Sequence, residues 1–248
     1  MSAPCVPSAV KTLLRQKSIA LLCCCLFGGV LTVNASAEDH DSMNCPGTLA
    51  STHAALADGD QNNASHLQLS RGIDAGAEFD LDVCAADVTL DGSTDNTFRV
   101  TVDIENPSQQ HTVADYLQKL DITTSHVKLQ LHVFRPLHAK VTIELPAATP
   151  EFTLNLGRGD LTLAADRIRG KHATINVGYG HVNFQGNADA YEDLQVNVGL
   201  GSMHDHRKDG HNHHFIVARS LEGTGSGSIT VNVGMGSVDL NPGQSKPI

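Results

Sequence analysis

Tryptophan is absent from the 248-residue chain, and tyrosine and phenylalanine together number only ten. The core must therefore be built from small aliphatic side chains, and no stacking platform for sugars or nucleobases is evident. Positive charge is scarce as well. Seventeen Lys and Arg stand against 27 Asp and Glu, a net charge of −10 with His neutral. Such a chain lacks the positive field that non-specific nucleic-acid binding requires. It is not a disordered polyelectrolyte either, because charged residues make up 18% and hydrophobic residues 40%. A single long uncharged apolar run is present, Ile19 to Val33.

That run follows Lys11, Arg15 and Lys17 and precedes the small-x-small triplet Ala35-Ser36-Ala37. The combination reads as a secretory signal over residues 1–37. An uncleaved anchor is the alternative, but the run is short for a span of about 20 residues. Cleavage would leave 211 residues with 14 basic and 27 acidic side chains, a net charge of −13. With no further span-length apolar run, the mature chain is expected to be exported and soluble, in the periplasm, on the cell surface or outside the cell. Cys5, Cys23, Cys24 and Cys25 would leave with the signal. Cys45 and Cys84 would remain, and in an oxidising compartment two lone cysteines most simply form a disulfide.

What the chain does have is repetition. Phe152 to Leu163 read FTLNLGRGDLTL, Ala173 to Phe184 read ATINVGYGHVNF, Leu194 to Asp205 read LQVNVGLGSMHD, and Ile229 to Leu240 read ITVNVGMGSVDL. The shared residues Asn155, Asn176, Asn197 and Asn232 are spaced by 21, 21 and 35, and 35 is one period plus a 14-residue insertion. Within each copy apolar residues alternate with polar ones, the periodicity of a strand. Gly-x-Gly then permits a sharp bend, and a second short strand follows. One such strand pair cannot bury its apolar face alone, whereas stacked copies bury a continuous column. The expected columns are Leu154/Ile175/Val196/Val231 and Leu156/Val177/Val198/Val233, with the four asparagines forming a hydrogen-bonded ladder. The fold class expected is all-β, a single-stranded β-helix-like β-solenoid of about 21 residues per turn. An antiparallel sandwich of hairpins is the rival, but hairpins do not require identical residues at a long fixed period.

Leu81 to Leu90 match Leu154 to Leu163 in their apolar positions without the glycines, as an early degenerate turn would. Phe98–Ile104, Val127–Val133 and Val141–Leu145 alternate as strands. Thr112 can cap one short helix near 112–120 whose Val113, Tyr116, Leu117 and Leu120 share a face. Residues 38–66 read as an irregular arm, 67–240 as the solenoid domain and 241–248 as a tail in which Pro242 and Pro247 stop further strand addition.

The Gly-x-Gly repeats, preceded by a strand ending in Leu145-Pro146, resemble the bacterial putative-adhesin domain family and its relative, the head-GIN domain, over about residues 67–240. The resemblance implies a secreted or envelope-located, non-enzymatic β-solenoid with no catalytic residues to carry over.

One segment departs from the repeat. An insertion over 204–219 begins HDHRKDGHNHH at His204. His204, Asp205, His206, His211, His213 and His214 could chelate Zn²⁺, Cu²⁺ or Ni²⁺ through imidazole nitrogen. A solvated His-rich loop accounts for the same residues. Arg158-Gly159-Asp160 reads as an adhesive tripeptide, but Arg158 occupies a slot held elsewhere by Tyr179, Leu200 and Met235. Asp58 to Asn62 begin like a calcium loop and then fail, with Asn63 at the glycine position and Leu69 at the terminal acid. No stacked carboxylate pair lies beside a basic residue on the outward face, so no enzyme is expected. The reading is a non-catalytic binding or scaffold protein of the envelope or exterior, with a protein or glycan partner and no resident cofactor. The alternative is an envelope metal-handling protein that uses the His-rich loop 204–214.

Overall fold

The computed structural model describes residue 49 and residues 56–242, apart from 135, 147–148, 169–171, 188–190 and 208. All of them belong to the compact unit Asp39–Ile248. Residues 1–37, expected to be a signal segment, and Cys45 lie outside the described residues. The fold is all-β. Its strands are β1 (Gln61–Asn62), β2 (His66–Gly72), β3 (Glu78–Ala85), β4 (Asp87–Gly92), β5 (Thr97–Glu105), β6 (Leu117–Ile122), β7 (His126–Leu131), β8 (His138–Leu145), β9 (Glu151–Arg158), β10 (Leu161–Ala164), β11 (His172–Gln185), β12 (Asp193–Asp205), β13 (His213–Glu222) and β14 (Ser228–Asn241).

Three of the four Gly-x-Gly repeats, in β11, β12 and β14, are each one long strand with a corner in it. In β11 the buried positions are Ala173, Ile175 and Val177 before the corner and Val182 and Phe184 after it. Burial thus switches from odd to even residues across Gly178–Gly180. Both arms keep their apolar side chains on the same side, and one continuous core results. Below β11 the layer is split at the corner. β9 pairs in parallel with its first arm and β10 with its second, Leu154 beside Ile175 and Leu161 beside Val182. The degenerate copy takes the next layer down, with Leu81 beside Leu154 and Val88 beside Leu161.

The order of the upper layers differs from the order of the repeats. β14 pairs with β11 on one side and β12 on the other, both in parallel and in register. The column therefore runs Leu154, Ile175, Val231, Val196, and each of these residues is 0% exposed. The cause is the insertion. Its latter part is β13, which folds back antiparallel on the outer edge of β12. The chain then returns to the inner edge of β12 as β14. A solenoid that advances one layer per repeat would not place the fourth copy between the second and third.

Two further expectations are corrected. The lower layers include antiparallel pairs, β2 with β5, β5 with β8 and β6 with β7, of which only β6 and β7 are consecutive strands, so this part follows neither a one-turn-per-layer solenoid nor a stack of hairpins. The helix near 112–120 is a single 3₁₀ turn, Val113–Tyr116. Thr112 does begin it, with its backbone N–H donating to Asp115 Oδ2 at 2.8 Å. Leu117 then turns extended and enters β6, where Leu120 lies opposite Leu129. Pairing with β7 overrides the local helical pattern.

Candidate functional site

The described exposed large hydrophobics are Tyr179 (52%), Leu200 (51%), Phe215 (77%), Ile216 (81%) and Met235 (45%). They form one line. Tyr179, Met235 and Leu200 occupy the x position of successive Gly-x-Gly corners, with Tyr179 paired to Met235 and Met235 to Leu200. At the top, Phe215 lies opposite Gly201 at a register shift in β12–β13. At the base, the Arg158 guanidinium sits 5.0 Å from the centroid of the Tyr179 ring. The corner throws these side chains outward from both arms. A contiguous apolar ridge of this kind is the surface feature that marks an interaction site on a soluble protein. Phe215 also holds φ +75°, a conformation that bulky residues rarely adopt and that concentrates at functional positions.

The sequence shows three of the four slots holding large apolar residues, Tyr179, Leu200 and Met235. That signal was available, but a position flanked by glycines and alternating with nothing reads as a variable turn. Arg158 is part of the ridge through its ring contact. Asp160 of the same tripeptide accepts the His181 backbone N–H at 3.1 Å.

The six candidate metal ligands are divided by the pleat of the strands. Asp205 faces inward, 8% exposed, and its carboxylate takes Arg207 Nη2 at 2.6 Å and Nε at 2.8 Å. Burial pushes the Asp205 carboxyl up, but the Arg207 hydrogen bonds outweigh it and hold the group below the usual range. Asp205, Arg207, Asp209, His211, His213 and Arg219 border one cavity of about 200 Å³, in which the Asp205 carboxylate is already taken by Arg207. His211 Nδ1 lies 3.0 Å from the Asp209 carbonyl oxygen, and His213 Nδ1 lies 3.2 Å from Arg219 Nη2. His204 belongs to the opposite face, its ring 6.4 Å from that of His206 and 6.0 Å from that of His214.

Two residues of other layers join His204 there. Asp239 Oδ1 lies 2.8 Å from His204 Nδ1, and Asp239 Oδ2 lies 3.5 Å from His181 Nε2. His181 Nδ1 is in turn 2.8 Å from Ser237 Oγ. This contact set exists because β14 lies between β11 and β12. Among the described residues, no group of three or more His, Cys, Asp or Glu side chains is placed to hold a metal ion. The Ser237, His181 and Asp239 set has the residue types of a nucleophilic triad. It stands on an open strand face, however, where the backbone N–H groups of β11, β14 and β12 are committed to neighbouring strands on both sides. No oxyanion site is built from such groups.

The asparagines hydrogen-bond along the stack. Asn155 Nδ2 donates to Asp82 Oδ1 at 2.7 Å, Asn176 to Asn155 at 2.8 Å, Asn232 to Asn176 at 2.9 Å and Asn197 to Asn232 at 2.9 Å. Asp82 stands where the other copies have asparagine, and it ends the ladder as an acceptor that also takes Gln130 Nε2 at 3.0 Å. The amides satisfy one another instead of waiting for a ligand. Of the calcium-like segment, Asp60 is engaged bidentately by Arg71, with Nη1 at 2.6 Å, and that guanidinium holds its carboxyl below the usual range. Cys84 is buried. No described helix is long and apolar enough to cross a membrane.

No protein-family model matches the chain, and no curated protein matches it. Solved structures are similar to it, among them these three. A putative cell adhesion protein from Clostridium sporogenes is 16% identical with a TM-score of 0.44, covering 71% of this chain and 98% of that one. A putative lipid binding protein from Parabacteroides distasonis is 13% identical with a TM-score of 0.31, covering 71% of this chain and 64% of that one. A putative adhesin from the same organism is 14% identical with a TM-score of 0.28, covering 50% of this chain and 58% of that one. Two of the three carry the adhesion name that the repeat resemblance implies.

Proposed function

We propose that this is an exported, non-catalytic, adhesin-like binding protein whose solenoid-like stack of repeats is a rigid support for the corner ridge. The observation that carries the reading is the gathering of Tyr179, Met235 and Leu200, each about half exposed, into one line above a packed core. The partner is a protein surface of the cell exterior, because the ridge is apolar and the amide ladder is internally satisfied. Export through residues 1–37 would carry Cys45 and Cys84 into an oxidising compartment, where they pair. The test is surface-plasmon binding to immobilised fibronectin, collagen and mucin, with wild type and a triple variant, Tyr179→Ser, Leu200→Ser and Met235→Ser. Wild type is expected to bind at least one of them. The variant should lose about tenfold or more in affinity while its melting temperature holds. Equal binding by the variant removes the ridge from the reading, and no binding by wild type removes the adhesive role.

A second reading keeps the metal role but changes the ligands. Asp239 touches His181 and His204 on an outer face that His206 and His214 border, and these side chains would have to draw together to take up Zn²⁺, Cu²⁺ or Ni²⁺. Calorimetric titration with Zn²⁺ separates the sites. Asp239→Asn and His181→Ala should abolish micromolar binding, and His211→Ala with His213→Ala should leave it. The reverse pattern would return the site to the loop, and a wild type that takes up no zinc at micromolar concentration would end the metal reading.

A further inference from the structure

We propose that Met235 is an oxidation site, and that its conversion to the sulfoxide by hydrogen peroxide switches off the apolar character of the corner ridge. The inference deepens the ridge reading and rests on it for its biological consequence. Exposure divides the two described methionines. Met235 is 45% exposed, whereas Met203 lies in the core at 1%. Susceptibility to oxidants follows access to the sulfur. Of the three ridge side chains, only the thioether of Met235 stands on the oxidation ladder open to peroxide. It is also the middle one, with Tyr179 in register on one side and Leu200 on the other.

The step needs only the thioether and the peroxide. A sulfur lone pair attacks one peroxide oxygen, the O–O bond breaks, and an S=O bond forms as water leaves. Sulfur gives up two electrons and the peroxide takes them. A thiol-dependent sulfoxide reductase reverses the change, the oxygen leaving as water while two thiols join as a disulfide. The sulfoxide is a polar, chiral side chain with a strong acceptor oxygen. The corner cannot hide it. Gly234 and Gly236 flank Met235, and a Cβ on them would stand 2.7 Å and 1.7 Å from the carbonyl oxygens of Gly178 and Gly180. Backbone packed that closely holds the methionine in line. The new dipole interrupts the ridge at its centre and leaves Tyr179 and Leu200 as separate apolar spots. The core is unaffected, because the neighbouring core positions of β14 are Val233 and Val238.

The test treats the purified protein with hydrogen peroxide and follows each methionine by peptide mass spectrometry. Phenyl-resin chromatography and thermal denaturation are run on the same samples. Met235 is expected to gain one oxygen at least about tenfold faster than Met203. The oxidised protein should elute earlier from the resin and melt with the untreated protein. Met235→Leu keeps an apolar side chain in the ridge and every other methionine, so its retention should survive the same treatment. Met203 oxidising as fast as Met235 would overturn the proposal. So would unchanged retention of oxidised wild type, or an equal loss of retention in Met235→Leu. A fall in melting temperature on oxidation would overturn it too, because Met235 would then support the stack. No ligand enters these measurements, so their failure is distinct from a failure to bind immobilised proteins. If the serine triple variant loses binding and the oxidised protein does not, the switch is overturned while the ridge reading stands.

Discussion

Gly236→Ala is expected to destabilise the protein by on the order of 4 kcal/mol or more, which for a chain of this size lowers the melting temperature by roughly 10 °C. Two costs combine at this position. The residue holds φ +145°, where an L side chain is strained. A Cβ built there would stand 1.7 Å from the carbonyl oxygen of Gly180 in the adjoining layer, 2.8 Å from its carbon and 3.2 Å from its nitrogen. The obstruction is backbone, and it belongs to β11, which is held by strands on both sides. A flexible side chain could swing away, but a paired strand cannot. Gly72→Ala is the matched control, because a Cβ there meets nothing within 4 Å. Its melting temperature should stay near that of wild type, as surface substitutions usually do. Thermal denaturation of the two variants measures the difference. If Gly236→Ala melts with the control, the corners are not stacked in contact.

This dependence on glycine explains which parts of the fold were legible. Gly-x-Gly recurs because each corner carbonyl approaches the next corner from one layer below, so the sequence period of 21 in 151–185 is also a spatial period. The degenerate copy was readable through Leu81 and Leu90 because its apolar alternation survives although its glycines do not. Layer order was not readable. Asn197 and Asn232 sit in equivalent repeats, and either could pair with Asn176. The choice is made by β13, whose pattern His213 to Glu222 is neither periodic nor apolar enough to announce a strand. The same ambiguity hid the contact between His181 and Asp239, which exists only in the observed order. Leu117 and Leu120 illustrate a different failure. Their three-residue spacing suits a helical face, yet they are strand residues, because β7 offers a complete row of partners. The ridge escaped for a third reason. Exposure at a corner comes from the bend, and periodicity has no term for it.

The stack's dry interior gives the other large effect. Val231→Asp is expected to lower stability at pH 7 by roughly 3–5 kcal/mol, close to the whole stability of many domains. Val231 is 0% exposed and lies between Ile175 and Val196, which are equally buried. A carboxylate there has hydrocarbon on both sides and no cation within its column. Burial penalises the charged form, so the folded-state pKa of the new Asp must rise above its unfolded value. The sign follows from linkage. Below the unfolded pKa, about 3.9, the group is neutral in both states, and only lost packing and a desolvated polar group remain. As pH rises above that value, the unfolded chain releases its proton first, and the penalty grows by about 1.4 kcal/mol per pH unit until the folded pKa is passed. Relative to wild type, the variant should therefore be less damaged at pH 3 than at pH 7. Val231→Thr, similar in shape but uncharged, should be destabilised more mildly and show no such pH dependence. Urea denaturation of the three proteins at both pH values gives the comparison. An Asp variant as stable as wild type at pH 7 would put position 231 outside the core. A loss that stayed constant from pH 3 to pH 7 would mean that the carboxylate reaches water, and the layers would then be open where Val231 meets Ile175 and Val196.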